Sequence, residues 1–240
     1  MSEIRVLERY IYPVRSLPGI RLPKMEISEA GPVLDRQWML VDEKNALLTL
    51  KQRPELALFR VTLGNFMELT WKDGDSMDFG LSETEGEAFK VKTGDGEVEA
   101  QEVSEEVSAW ISEKLDKKVR LVRQTDQSQK EAHPVQVISK ASLELLDMKL
   151  GKKVAVSRFR PNLVVDALDA HQEDLIEGFY IGKVEFHFVK KTPRDEVIQT
   201  NPLTGKVEEE PMKTLNAYRK EDDGNVYFGS YFATQGVGTV

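Results

Sequence analysis

The chain contains no cysteine, and that absence removes several kinds of chemistry at once. Structural disulfides, thiolate metal sites, a cysteine nucleophile and persulfide carriage all need a thiol. Histidine is nearly as scarce. His133, His171 and His187 are scattered with no short-spaced partner, so side chains alone are not expected to build a metal site. There is no Gly-x-Ser-x-Gly elbow, no phosphate-cradling loop ending in Gly-Lys-Ser/Thr and no Gly-x-Gly-x-x-Gly after a strand. Hydrolase and nucleotide-fold readings are left without support. No apolar run approaches the ~20 residues of a membrane span. The opening Met1-Ser-Glu-Ile-Arg-Val-Leu-Glu lacks the apolar core of a signal peptide, so a cytoplasmic protein with no membrane partner is expected. A basic excess is missing too. The 33 Lys and Arg are outnumbered by 41 Asp and Glu, giving a formal charge of −8, which disfavours a nucleic-acid partner.

What is present suits a folded, well-solvated protein of 240 residues, 40% apolar and 31% charged, long enough for one large or two modest domains. Up to Ala100 the pattern is of short strands. Ile4 to Val14 runs into a turn at Ser16-Leu-Pro-Gly19, and Trp38 to Val41 with Ala46 to Leu50 reads as a hairpin. Phe59 to Trp71 and Lys90 to Ala100 read as two more hairpins. The acidic, Gly/Ser-containing residues 72–87 between them read as exposed loop. This succession suggests a barrel or small sandwich. Val103, Val107, Trp110, Ile111 and Leu115 then share a helical face behind Ser104 as N-cap. The polar residues 125–132 are the best candidate for a boundary or a mobile loop. A second helix is expected over residues 139–150 with Gly151 as its C-cap, and a short third one over residues 212–218. Phe179 to Val189 is a strong hairpin turned by Gly182-Lys183.

The remaining chemical signal is a set of cations at strand ends: Arg15, Arg36, Arg160 and Arg194. Arginine's rigid donor fork matches phosphate, so the set could fix an anionic ligand. With so many basic residues, ordinary surface arginines at strand ends are the plainer alternative. The stretch after the Val184–Val189 strand crowds Lys190, Lys191, Arg194 and Asp195 around Pro193, and a charged loop leaving a buried strand is where folds tend to carry function. Asp195 beside Arg194 is either a ligand, a general base or a local ion pair of little energetic weight.

The same residues carry a family resemblance. Tyr12-Pro-Val-Arg-Ser-Leu-Pro-Gly19, Asp35-Arg-Gln-Trp-Met-Leu-Val-Asp42, Ser139-Lys-Ala-Ser-Leu143, Arg158-Phe-Arg-Pro-Asn-Leu-Val-Val165 and Pro211-Met-Lys-Thr-Leu-Asn-Ala-Tyr-Arg219 resemble motifs of MOSC-domain proteins with an N-terminal β-barrel partner. These include the YcbX-like proteins and the mitochondrial amidoxime-reducing components. The resemblance implies a mostly β fold with a few helices (α+β), an N-terminal MOSC-associated β-barrel over residues 1–124 and a MOSC β-barrel over residues 125–240. Relatives usually continue into one further strand. It also implies a molybdenum cofactor, a pterin dithiolene with a phosphate tail. Arg15, Ser16, Arg36, Arg160, Asn162, Arg194 and Tyr231 match positions that hold that cofactor. The family pattern Cys-Ser-Arg-Cys, whose second cysteine ligates molybdenum, here reads Thr192-Pro193-Arg194-Asp195, so Asp195 takes the metal-ligand and catalytic position. A hard carboxylate in place of a soft thiolate changes donor strength and redox behaviour. By resemblance the expected activity is that of an oxidoreductase reducing N-hydroxylated or N-oxide-type small molecules. A separate electron-donor protein would be needed, because no flavin, haem or iron–sulfur motif is present. The alternative is a non-catalytic binding module that keeps an anion or pterin-phosphate pocket.

Overall fold

The computed structural model describes residues 4–94, 96–125, 135–166 and 168–240. The boundary expected over residues 125–132 falls almost wholly outside them, as does His133. Strands dominate, with three α-helices among the described residues. The largest sheet has seven strands in the order Gly178–Ile181, Val184–Arg194, Val226–Gln235, Val135–Ser139, Leu163–Asp166, Arg5–Ile11 and Ile20–Arg21. Its strands are antiparallel neighbours except Val135–Ser139 and Leu163–Asp166, which run parallel. A parallel pair needs a crossover connection, and helix α2, Lys140–Leu150, lies within it. The chain's first strand is thus paired with one from its later half, Arg5 opposite Asp166 and Arg9 opposite Leu163.

A four-stranded sheet orders Trp38–Val41, Arg120–Gln124, Gly96–Glu102 and Glu85–Thr93, and a three-stranded one Arg60–Leu63, Phe66–Thr70 and Ser76–Gly80. Helix α1, Glu105–Leu115, buries Val107, Ile111 and Leu115, and Ser104 caps it by accepting from the Val107 amide. Two departures from expectation stand out. Residues 72–87 are not simply loop: Ser76–Gly80 is a strand that buries Phe79 against the apolar core. Its Met77/Phe79 alternation is short and flanked by acids, so main-chain pairing decides the outcome. Likewise the charged stretch after Val189 is still strand. Val184–Arg194 continues beside Val226–Gln235 to Arg194, with register shifts between Phe188 and Lys190 and between Lys191 and Pro193. Bulges of this kind twist a strand and re-aim its side chains.

Two apolar clusters anchor the loop that carries the first of the arginines. Ile11, Val135, Val137, Leu163, Phe186 and Phe232 belong to one, while Val14, Leu17, Trp38, Phe59 and Ile111 belong to another. The loop after the first strand leaves the first cluster at Ile11 and enters the second at Val14, which pins it at both ends. The Ser139 and Arg219 motifs are framework. Fully buried Glu173 accepts from the Ser139 amide (3.2 Å) and the Ser142 hydroxyl (2.7 and 3.0 Å), and burial raises its carboxyl pKa. Helix α3, Met212–Arg219, ends in an ion pair from Arg219 to Asp174, which also accepts from Ser230 Oγ at 2.7 Å.

Candidate functional site

The four strand-end arginines come from distant parts of the chain, and main-chain hydrogen bonds fix where their segments sit. The Arg15 amide donates to the Trp38 carbonyl at 2.8 Å, and the Arg36 amide to the Tyr12 carbonyl at 2.9 Å. Arg15 Nε also reaches the Arg36 carbonyl at 3.3 Å. Ser16, Arg36 and Arg160 all have positive φ, at 70°, 55° and 53°. A left-handed conformation is costly for L-residues and persists where surrounding contacts over-determine it, often at functional sites. Three candidate residues share it.

Tyr12 is the platform on which two of these cations rest. Its ring is buried, with the Arg160 guanidinium carbon 4.2 Å and that of Arg36 5.9 Å from the centroid. The phenol donates to the Pro161 carbonyl at 3.1 Å. Gly19 packs directly against the ring, since a Cβ there would lie 2.4 Å from Tyr12 Cε1. Beneath them Asp35, with its side chain 4% exposed, accepts from the Tyr12 amide (2.6 Å), Arg36 Nη1 (2.7 Å) and Asn162 Nδ2 (3.1 Å). Asn162 is fully buried. It also donates to the Tyr10 carbonyl at 3.1 Å and accepts from the Gln136 amide at 3.0 Å. Its amide therefore ties two strands, Arg5–Ile11 and Val135–Ser139, to the turn at Asp35, and its place in the site is to hold the frame.

Arg160 and Arg194 are held differently. Arg160 Nη1 donates to the Leu17 carbonyl at 2.6 Å. Arg194 donates from Nε and Nη2 to the Phe228 carbonyl (2.9 and 2.6 Å) and from Nη1 to the Phe159 carbonyl (2.8 Å). Phe159 and Phe228 are fully buried, their rings 4.6 Å apart, so those carbonyls are rigid anchors. Among the described residues neither arginine makes an ion pair. Burial lowers both guanidinium pKa values to about 10, and Tyr231 works against that for each. Both remain cationic at neutral pH, so the site concentrates positive charge whose hydrogen bonds end on neutral carbonyls. Donors of this kind match the acceptor oxygens of an anion.

Asp195 follows directly. It is exposed, with extended backbone, and its Oδ1 accepts from the Val197 amide at 3.1 Å to cap the one-turn helix Glu196–Gln199. No described group of three His, Asp or Glu side chains is placed to hold a metal ion, so a metal here would have to arrive on a cofactor and take one protein ligand. Tyr231 lies opposite Lys190 on one side and Gln136 on the other. Gln136 is 2% exposed, and its Nε2 has no partner among the described residues. Neither Asp35 nor Gln136 stands out as a site residue in the sequence. A lone amide within Val135-Gln-Val-Ile138 was the available signal for the latter.

Arg158, two residues before Arg160, serves the loop instead. Its Nη1 donates to the carbonyls of Ile198 (3.2 Å), Gln199 (2.9 Å) and Glu210 (3.4 Å), and its Nη2 pairs with Glu208 at 2.5 Å. A cleft of about 240 Å³ opens beside it between Lys152, Lys153, Asn201 and Leu203. None of the eight candidate residues lines it.

Residues 3–118 match the MOSC N-terminal beta barrel domain and residues 124–240 the MOSC domain. Similar proteins include the mitochondrial amidoxime-reducing component 1 of Homo sapiens, 28% identical over 98% of this chain and 80% of the relative. The mitochondrial amidoxime reducing component 2 of Rattus norvegicus is 27% identical over 96% and 79% respectively. The molybdenum cofactor sulfurase of Danio rerio is 26% identical over 98% of this chain, which spans 32% of that longer protein. Among the described residues no helix is long and apolar enough to cross a membrane.

Proposed function

Because the chain belongs to the MOSC family, with the N-terminal barrel domain preceding the MOSC domain, we propose that its arginine cluster holds a molybdenum cofactor for the reduction of N-hydroxylated or N-oxide-type small molecules. The observation that carries this reading is the pair Arg160 and Arg194. Two partly buried cations anchored on main-chain carbonyls, with no ion pair among the described residues, are prepared for an anion from outside. Arg15, Ser16 and Arg36 close the N-terminal side of the site, and Asn162 and Asp35 keep the segments in register. When bound, the cofactor would supply two-electron chemistry at molybdenum. For an N-hydroxylated substrate the balance is one N–O bond broken, two electrons and two protons consumed, and an amine-level nitrogen and water released. The electrons come from a separate electron-donor protein.

Asp195 is the protein's ligand in this reading. Its Oδ1 takes the Val197 amide, while among the described residues its other carboxylate oxygen accepts no hydrogen bond, and a carboxylate is a sound donor to a hard, high-valent metal. The capping bond also favours a second reading. A carboxylate retained for capping alone would leave a pterin-phosphate binding module without turnover.

Purification from a cofactor-competent host separates the two. Metal and pterin analysis should find near-stoichiometric molybdenum, with Asp195→Ala keeping the pterin but changing the metal's absorption spectrum and lowering the molybdenum-to-pterin ratio. Pterin without metal, unaffected by Asp195→Asn, would point to the binding module. Neither pterin nor metal would overturn both readings.

A further inference from the structure

The strand Val135–Ser139 is buried along its whole length, and Gln136 is a polar interruption within it. Its main chain is locked, the amide donating to Asn162 Oδ1 at 3.0 Å and the carbonyl accepting from the Asn162 amide at 2.8 Å. Its side chain is 2% exposed, yet Nε2 finds no partner among the described residues. A buried donor left unpaired destabilises the protein that carries it, and leucine would fill similar space without that cost.

Register shows which way the side chain faces. Gln136 lies directly opposite Tyr231 in an antiparallel pair, and Tyr231 directly opposite Lys190 in the next. Residues in that relation share a sheet face. Val135 and Val137, one residue to either side, face the apolar cluster on the other side. Tyr231 in turn is near enough to both Arg160 and Arg194 to act on their protonation. The unpartnered amide therefore shares a sheet face with Tyr231, on a residue whose main chain is bonded to Asn162, two positions after Arg160.

We propose that Gln136 is a ligand-contacting residue, its Nε2–H₂ donating to an oxygen of the ligand held between Arg160 and Arg194. This rests on the anion-site reading of the arginine cluster. The oxygen belongs either to the phosphate tail or to the pterin carbonyl, and the donor is completed only when ligand is present.

The test compares wild type, Gln136→Leu and Gln136→Glu after production in a cofactor-competent host. Pterin per chain is measured by fluorescence after oxidation, inorganic phosphate binding by calorimetry, and melting temperature on the pterin-free proteins. Loss of one hydrogen bond to a charged or strongly polar acceptor should lower retention about tenfold in Gln136→Leu, while its pterin-free melting temperature stays equal to wild type or rises. Gln136→Glu should lose more, through charge repulsion of the anion. If phosphate binding falls in parallel, the contact is to the phosphate; if pterin retention alone falls, it is to the ring. Full retention by Gln136→Leu overturns this inference and leaves the anion site standing. A lower melting temperature of pterin-free Gln136→Leu also overturns it, because the amide would then be a structural bond. Wild type holding neither pterin nor phosphate removes the anion site and this contact together.

Discussion

Replacing Asp35 by alanine tests whether one carboxylate holds the site together. Three donors converge on it: the Tyr12 amide at 2.6 Å, Arg36 Nη1 at 2.7 Å and Asn162 Nδ2 at 3.1 Å. Tyr12 is 1% and Asn162 0% exposed, so water does not replace the lost acceptor, and each orphaned donor costs about 1–2 kcal/mol. The Arg36 side chain keeps 16% of its surface. Solvent therefore takes back part of its loss, leaving about 1 kcal/mol rather than the full penalty of a broken buried pair. The three contributions give about 3–5 kcal/mol for Asp35→Ala. Asp35→Asn keeps one carbonyl oxygen but turns an NH₂ group toward donors, and should cost about 2–3 kcal/mol. Urea unfolding followed by tryptophan fluorescence suits the measurement, because Trp38 lies close by in sequence and is fully buried. A shift below about 1 kcal/mol for the alanine variant would refute the idea that Asp35 is the common acceptor of these segments.

Gly229 carries a second expectation: its φ is 76°, and a Cβ there would meet the Val137 carbonyl oxygen at 2.8 Å and Ile138 Cγ1 at 2.6 Å. Gly229→Ala should cost about 3 kcal/mol in thermal unfolding through left-handed strain and overpacking and should weaken phosphate binding, since the adjacent Phe228 carbonyl anchors Arg194. Gly64→Ala, with nothing within 4 Å of the added carbon, should stay within about 0.5 kcal/mol. Burial first, then the charges of Arg219 and Lys149, pull the His171 pKa down to about 4. Between that value and the unfolded ~6.5 the unfolded chain binds more protons, so this contribution is intact above pH 6.5 and is lost as pH falls toward 4. After discounting for partial exposure it amounts to about 1–2 kcal/mol. His171→Asn, which tolerates the positive φ, should flatten the loss of stability between pH 7 and pH 4.5 by that amount. Equal slopes for the two proteins would contradict the assignment.

Local signals in the sequence reveal much of this architecture. Ser104 ahead of an apolar helical face marks α1, and Gly182-Lys183 marks a hairpin whose first turn residue does take a positive φ of 59°. Where the pattern is diluted the reading fails. The strand Ser76–Gly80 has Met77 and Phe79 set among acids and small residues, and Lys190 to Arg194 looks like loop because pairing with a distant strand depends on main-chain bonds rather than side-chain alternation. The four arginines are visible as strand-end cations. Their anchors are not, because the Phe159, Phe228 and Leu17 carbonyls carry no side-chain signature. Asp35 shows its neighbour Arg36 at once, but its bond to Asn162 spans 127 positions. Gln136 looks like one more strand residue until its register with Tyr231 is known.

The pairing of Arg5–Ile11 with Leu163–Asp166 sets a timetable. Arg5 and Asp166 are 161 positions apart, and at ~5–20 residues per second a ribosome needs about 10–30 s to cover that distance. The hairpins of the first half can close while the chain is still growing, since their partners are local. Arg15 and Arg36 emerge early and wait; Arg160, Arg194 and Tyr231 complete their surroundings only when those later segments have followed. The arginine cluster thus assembles only after chain segments more than a hundred positions apart have met, whatever the order in which the local hairpins close.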